Sequence, residues 1–312
     1  MKESQARLVR RLALLLTVLV LVITSLSAYI RLSRAGLSCA EWPQCYGERL
    51  RQAQQGLAVT AGDSDAVAAA RFAHRVVASA ALLLIVAMLV VCFSARPLRW
   101  ADGGVAIALL ALGLAVLGRW SSDARLPAVA IGNLLGGFAM LALCWRLVLA
   151  PGAALARGGR VWALLCVLLI AMQIALGGLV SSMFAATSCT SFADCLSAAR
   201  GLPWSALDPW REPVLSGMPP ANASGALAQT LHRVSGLAML IAIAPLALVA
   251  WRSRRRVAGA LALLLACTVG LGIAMANQGP TLDLALMHNL AAALLLATLF
   301  ELSRGPAAAD RR

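Results

Sequence analysis

Long runs of apolar residues alternate with short polar segments along this chain, and the runs are longer than the helices of most soluble proteins. A helix that crosses the hydrocarbon core of a bilayer needs about 20 mostly apolar residues. Eight runs approach or meet this length, at residues 12–30, 72–93, 103–120, 126–149, 161–183, 226–250, 257–276 and 282–300. The pattern predicts an all-α integral membrane protein with eight transmembrane helices.

The first run follows a basic start, as the apolar part of a signal peptide does. A signal peptide has only about 7 to 15 apolar residues at this place. We therefore interpret the run at 12–30 as a retained span.

Composition agrees with a lipid environment, because 61% of the residues are hydrophobic, only 13% are charged, and the mean hydropathy is +0.83. The formal net charge of +14 suits either nucleic-acid binding or membrane orientation. The position of the arginines favours orientation, because five arginine-rich segments fall on one side of the bilayer if the spans alternate: Arg7–Arg11, Arg96–Arg99, Arg157–Arg160, Arg252–Arg256 and Arg304–Arg312. We expect cytoplasmic termini, the lipid bilayer as surroundings, and no nucleic-acid partner.

The chain contains an internal repeat of four spans. Two long outer loops, at about 31–71 and 184–225, each hold two cysteines separated by five residues, and each leads into a span that begins with His-Arg. An even number of spans gives both copies the same orientation. We predict two four-helix bundles, 1–150 and 151–312. Glycines at 177, 178, 270 and 272 would allow close approach either of helices or of a flat ligand.

The chain has three histidines, and all lie inside or at the mouth of a span: His74, His232 and His288. A single histidine in a membrane helix most often makes a structural hydrogen bond. His232 and His288, however, lie at similar depth near the outer ends of two helices of the same half. Two such imidazoles can hold one haem iron from both faces, which favours a ligand role.

The cysteines and arginines near the outer surface leave alternatives open. Cys39 with Cys45 and Cys189 with Cys195 can close into disulfides in an oxidising compartment, either as structural links or as redox groups. Arg75 and Arg233 each follow a histidine, and they suit either haem propionates or lipid headgroups. The remaining cysteines lie within spans and are interpreted as apolar packing residues: Cys92, Cys144, Cys166 and Cys267.

Several segments together resemble the haem A synthase family of bacteria and mitochondria. Residues 29–47, YIRLSRAGLSCAEWPQCYG, are similar to its first outer-loop motif, and residues 173–182, QIALGGLVSS, to the partner motif of the second half. The segments TLHRVSG and ALMHNLAAALLLATL resemble the histidine segments of its sixth and eighth spans.

The resemblance implies a bacterial inner-membrane enzyme that converts haem O to haem A for terminal oxidases. His232 and His288 would bind a haem b cofactor, His74 would serve the substrate haem, and the first-half cysteines Cys39 and Cys45 would act in redox or haem-handling steps. Haem O synthase, a terminal oxidase and an electron donor are the implied partners.

The sequence departs from the family pattern at two positions of the first half. Arg71 stands where the family has a glutamate three residues before the first histidine, and Asn133 stands where its fourth-helix histidine is expected. Arginine cannot accept a proton as a glutamate does, and asparagine is a weaker iron ligand than imidazole. Three hypotheses follow: a diverged haem A synthase, a haem-binding or haem-delivery protein that has lost catalysis, and a transporter or structural subunit.

Overall fold

A computed structural model describes residues 3–57, 64–94, 101–121, 126–149, 154–217 and 221–305. The eight long helices within them are α1 (Glu3–Arg34), α3 (Asp65–Ser94), α4 (Ala101–Ser121), α5 (Pro127–Val148), α6 (Arg157–Ser182), α8 (Gly225–Trp251), α9 (Arg255–Gln278) and α10 (Leu282–Leu302). Two short helices lie in the long loops, α2 (Glu48–Gln54) and α7 (Phe192–Ala199).

The eight predicted spans are confirmed, since each long helix is apolar enough and long enough to cross a bilayer. Most of these helices extend past the predicted apolar run at one or both ends, because polar residues at the bilayer surface continue the helix. Large apolar side chains remain exposed on their outer faces, as lipid-facing residues do, for example Leu83, Ile241 and Leu248. The predicted basic segments at Arg96–Arg99 and beyond residue 305 lie outside the described residues.

Each set of four long helices forms a closed ring with the same order of neighbours. In the first set, α1 packs on α3, α3 on α4, α4 on α5, and α5 on α1. In the second, α6 packs on α8, α8 on α9, α9 on α10, and α10 on α6. The two rings meet through α5 with α10, α5 with α6, and α1 with α10. These three contacts stay the same when the sets are exchanged, as expected for a duplicated unit.

The buried positions repeat in register between the two sets. The buried residues of α3 are Val67, Ala70, Ala81, Ile85, Met88 and Cys92. Each is matched 158 positions later by a buried residue of α8: Gly225, Ala228, Met239, Ile243, Leu246 and Ala250. In α5 and α10 the matched pairs are 155 positions apart, from Phe138 with Ala293 to Cys144 with Leu299. The shared register shows that equivalent faces of the two units turn inward.

The two ends of the bundle are distinguished by their connections. The end that carries the two long loops is called the loop face, and the opposite end the termini face. At the loop face the backbone N–H of Ala128 donates to the carbonyl of Pro209, which holds the second long loop over the start of α5. Trp42 of the first long loop lies against Gly279 in the turn between α9 and α10. Both loops therefore reach across to the other unit.

A buried ion network closes the termini face. Glu301 is 1% exposed, and its Oε1 accepts a hydrogen bond of 3.0 Å from Arg254 Nη2. Its Oε2 lies 3.4 Å from Arg304 Nε without hydrogen-bond geometry. Arg304 also donates to the carbonyls of Arg146 and Leu149. The network therefore ties the end of α10 to the α8–α9 turn and to α5.

We expect Glu301→Ala to lower the stability of the protein by about 3 to 5 kcal/mol, because the change leaves buried guanidinium groups without their carboxylate. Thermal unfolding of the purified protein in detergent measures this as a lower Tm. Asp208→Ala is the matched control, since it removes an exposed ion pair with Arg211 that is worth about 1 kcal/mol or less. Equal Tm values for the two variants would contradict the importance of the network.

Candidate functional site

The imidazole groups of two histidines lie close together inside the second set of four helices. His232 lies on α8 and His288 on α10, and their ring centroids are 6.4 Å apart with an angle of 74° between the ring planes. His232 is seven residues past the first residue of α8, and His288 is six past that of α10. At 1.5 Å per residue, both lie about 10 Å into the helices from the loop face. The predicted match in depth is therefore present.

Each histidine is held by a hydrogen bond to a neighbouring helix. Nδ1 of His288 lies 3.0 Å from the carbonyl oxygen of Thr268 on α9. A carbonyl only accepts, so Nδ1 carries the proton and Nε2 keeps its lone pair for a ligand bond. Across the site, the side chain of Gln173 on α6 donates to the backbone carbonyl of His232, at 2.9 Å. The ring atom Nδ1 of His232 is buried and has no hydrogen-bond partner among the described residues.

Glycines on neighbouring helices give the two rings their room. A Cβ atom at Gly177 on α6 would lie 2.9 Å from Cε1 of His232, closer than real side chains pack. A Cβ atom at Gly272 on α9 would lie 3.4 Å from Cε1 of His288. Of the other two glycines noted in the sequence, Gly178 packs against Ile131 and Leu134 of α5, and Gly270 borders open space. Two of the four thus serve the histidine site.

The pair suits an iron macrocycle better than a bare metal ion. The described residues contain no group of three or more His, Cys, Asp or Glu side chains that could hold an ion. A macrocycle supplies its own equatorial nitrogens and asks the protein only for axial ligands. Two imidazoles in line with one metal, at bonds of about 2.0 to 2.1 Å, have ring centres about 6.3 Å apart. The observed 6.4 Å fits that arrangement.

The first ring of helices offers a different set of side chains at the matching positions. The register of buried residues aligns His74 with His232, Arg71 with Gln229, and Asn133 with His288. His74 is half-buried on α3, apart from the His232–His288 pair. A shallow groove of about 200 Å³ at the loop-face end of α3 is lined by Ala68, Arg71, Phe72 and Arg75. This half therefore presents one imidazole where the second half presents two.

At one matched position, the first half also has more free space than the second. The register of α4 with α9 aligns Gly104 with Ala258 and Ile107 with Leu261, and by extension Gly118 with Gly272. A Cβ atom added at Gly118 would meet nothing within 4 Å, whereas the one at Gly272 meets His288. The first half is thus open at a position where the second half is filled by a histidine.

Both cysteine pairs lie at disulfide bonding distance. The Cα–Cα distance is 6.5 Å for Cys39–Cys45 and 5.0 Å for Cys189–Cys195, within the usual range of about 4.4 to 6.8 Å. Their exposure differs, since Cys39 and Cys45 are half-buried, whereas Cys189 and Cys195 are 6% and 0% exposed. The first pair is open to a reaction partner, and the second is enclosed beneath its loop.

The two arginines next to the histidines also differ. Arg75 is exposed at the loop-face end of α3, and Arg233 is half-buried on α8. An interfacial anchor keeps its charged group in water, which the burial of Arg233 partly prevents. Arg233 is therefore better placed than Arg75 to bind an anion inside the protein.

Sequence reasoning missed the residues that support the site from other elements. Gln173 and Thr268 act through contacts between helices that are far apart in the chain. Arg31 of α1 also makes a contact of this kind, with Ser181 of α6. Gln173 and Arg31 lie within the quoted segments QIALGGLVSS and YIRLSRAGLSCAEWPQCYG, but nothing in either segment says which helix it touches. Thr268 contributes only its backbone carbonyl, for which a sequence holds no signal.

The chain is similar to a known protein family and to one characterised relative over almost its whole length. Residues 10–300 match the family model COX15-CtaA, described as cytochrome oxidase assembly protein. The chain is also 32% identical to the haem A synthase of Shewanella oneidensis over 320 aligned positions, which cover 93% of each chain. A match of this extent includes both rings of helices and the histidine pair, and the chain belongs to the cytochrome oxidase assembly protein family COX15-CtaA.

Proposed function

We propose that this protein is a haem A synthase, a membrane oxidoreductase that converts the C8 methyl group of haem O to the formyl group of haem A. The observation that carries the proposal is the spacing of 6.4 Å between the His232 and His288 rings, which suits axial ligands of one haem iron. Family membership and the similarity to a haem A synthase support the same activity.

His232 and His288 are the proposed ligands of a haem b cofactor. The conversion of a methyl to a formyl group removes four electrons and adds one oxygen atom, so it needs a redox partner and an oxygen source. Bound there, the haem would supply electron transfer between the substrate site and that partner. The protein's part is to hold the two imidazoles: Thr268 fixes the His288 tautomer, and Gln173 fixes the backbone at His232. Gly177 and Gly272 keep the rings free of side chains. Arg233, the neighbour of His232, is positioned for a propionate carboxylate.

We assign the substrate haem O to the first ring of helices. His74 would hold the substrate haem, and the open space at Gly118 would leave room for it beside the fourth helix. Arg75 and Arg71 border the groove at the loop-face end of α3, where carboxylates of a substrate haem would find cations. Arg71 cannot take a proton in place of a glutamate, so the proposed mechanism assigns no proton transfer to this position.

The half-buried pair Cys39–Cys45 is the proposed redox or haem-handling disulfide, because a partner can reach it. The enclosed pair Cys189–Cys195 is proposed to be structural. Both pairs then belong on the outer side of a bacterial cytoplasmic membrane, where disulfides persist. The clusters of arginine at the termini face support the proposal that both termini lie in the cytoplasm. Haem O synthase, a terminal oxidase and an electron donor are the proposed partners.

Expression in a host that makes haem O but lacks its own haem A synthase tests the proposal. We expect the purified protein to contain haem b together with haem A or hydroxylated haem O, as measured by chromatography and mass spectrometry of extracted haems. His232→Ala or His288→Ala should remove nearly all haem b, because each deletes an axial ligand. Cys267→Ala, an exposed cysteine on α9, is the control and should change neither haem.

Three results would separate the hypotheses. Haem b without any oxidised product would favour a haem-binding assembly protein in which Arg71 and Asn133 have ended catalysis. A purified protein without any haem would reject both the haem A synthase and the haem-binding hypotheses. Haem b that survives both histidine changes would show that the cofactor is bound elsewhere.

Gly177→Ala should weaken haem b binding by about tenfold, the lower end of what loss of a supporting contact to a ligand costs. The added Cβ atom lies 2.9 Å from the His232 ring and displaces it. Haem b content per mole of protein is the measurement. Gly270→Ala makes the same change where nothing lies within 4 Å, and it should leave haem content unchanged. Equal effects of the two changes would contradict the proposed ring position.

Reductants that do not cross membranes should open the Cys39–Cys45 pair before the Cys189–Cys195 pair, because the first is half-buried and the second is enclosed. Alkylation of intact spheroplasts followed by peptide mass spectrometry measures both rates in one sample. Cys39→Ser should abolish or strongly reduce haem A formation, while Cys189→Ser should act mainly by lowering stability. Faster reduction of the second pair would overturn the assignment of roles.

A further inference from the structure

Arg31 is a cation inside the bundle for which the proposed function so far has no role. It lies three residues before the loop-face end of α1 and is half-buried. Its Nη1 donates a short hydrogen bond to Oγ of Ser181 on α6, and it makes no ion pair among the described residues. Arg31 belongs to the first unit, Ser181 to the second, so the guanidinium crosses the boundary between them.

Ser181 and Tyr46, the two described groups recorded beside the Arg31 guanidinium, are neutral. Tyr46 interacts with it electrostatically and is only 2% exposed. Burial raises the pKa of the Tyr46 phenol above its usual range, with the opposing effects of the Ala186 backbone N–H and of Arg31 smaller than that of burial. Tyr46 therefore stays protonated at physiological pH and cannot neutralise the arginine. A half-buried guanidinium with no ion pair among the described residues is available to bind an anion.

The contacts of Tyr46 place this cation on the side of the second unit. The Tyr46 ring packs edge-on against Phe184, with centroids 5.5 Å apart, and Phe184 follows α6 in the second long loop. Ser181, Phe184 and Ala186 all belong to the second unit. Arg31 thus extends from the first unit into surroundings built largely by the second.

The same helix face links Arg31 to the histidine site. Gly177 of α6 lies directly against the His232 ring, and Ser181 is four residues further along α6. Residues four apart share one face of a helix and are separated by about one turn, close to 6 Å. Since α6 runs toward the loop face here, Ser181 holds Arg31 about one turn outward from His232.

We propose that Arg31 binds a propionate carboxylate of the haem held by His232 and His288. This inference rests on the proposed haem b site. The propionates are the only charged groups on the rim of a haem, and a guanidinium pairs with a carboxylate through two parallel hydrogen bonds. Arg233 provides a cation from α8, and Arg31 provides a second one from the other unit. The haem b site in the second half would therefore be completed by a residue of the first half.

The competing explanation is that Arg31 only links α1 to α6 through Ser181. A neutral side chain of similar length can make that link, whereas binding of a carboxylate needs the positive charge. Arg31→Gln keeps a donor and removes the charge, and Arg31→Lys keeps the charge. The two variants therefore separate the explanations.

The test is a redox titration of haem b in the purified holoprotein, with haem b content measured in parallel. We expect Arg31→Gln to lower the midpoint potential and to weaken haem retention, because a nearby cation stabilises the reduced iron. Arg31→Lys should stay close to the unchanged protein. Arg200→Gln, which removes an exposed arginine of the second long loop, is the control and should have no effect on the potential.

Each outcome decides the inference. Equal potentials and haem contents in Arg31→Gln and the unchanged protein would overturn it, as would equal changes in the Gln and Lys variants. If Arg31→Gln does not accumulate, Ser181→Ala replaces it: this change releases the guanidinium, and an unaltered potential would again reject the proposal. The titration needs no turnover, so a protein that holds haem b but makes no haem A would contradict the proposed activity and leave the Arg31 inference standing.

Discussion

The packing of α5 against α10 is the contact on which the rest of the structure depends. Each is the last helix of its ring, and each touches two helices of its own unit and two of the other. Both helices carry small side chains in their buried parts. Gly136 and Gly137 let α5 approach α4 and α1 closely, and α10 carries a buried run of alanines at 291–293. In a membrane, where apolar residues gain little by leaving lipid, such close packing supplies much of the association energy.

This central contact determines where α10 can place its functional residues. His288 lies near one end of α10 and Glu301 near the other. At the first end, the Thr268 carbonyl fixes the imidazole, and at the second, Arg254 and Arg304 hold the carboxylate. A helix held at both ends cannot slide by a turn without breaking one of these contacts. The position of the His288 ring is therefore set partly by charges at the opposite end of the same helix.

Much of the fold could be predicted from the sequence, because membrane helices follow from one simple requirement. Backbone groups in lipid must be paired within the segment, so a long apolar run is necessarily helical. The repeated cysteine pairs and His-Arg steps indicated the duplication, and the paired depth of His232 and His288 indicated the site. These features depend on spacing along one helix or on repetition, and a sequence records both directly.

Other parts of the site could not be predicted, because they depend on contacts between helices. The difference in exposure between the two cysteine pairs arises from how each loop folds over the bundle, although the pairs have identical spacing. The glycines at 177, 178, 270 and 272 are alike in sequence, yet of these only Gly177 and Gly272 lie against a histidine. Arg31 stands in a polar stretch at the end of a span, where an interfacial anchor is the ordinary interpretation. Only its contact with Ser181 shows that it points inward.

The two units match in helix order and register, but the second unit holds two histidines and the first holds one at the matching positions. In the proposed function, His232 and His288 would hold the haem b cofactor of the second half, and a permanently held haem would supply electron transfer there. In the proposed function, His74 would hold the substrate haem from one side, and the open space at Gly118 would give that haem room to enter and leave. Loss of the second ligand is thus compatible with a substrate site. If Arg31 binds the cofactor of the other half, neither half is complete by itself, and a separated second half would retain its histidines but lose one of its two propionate partners.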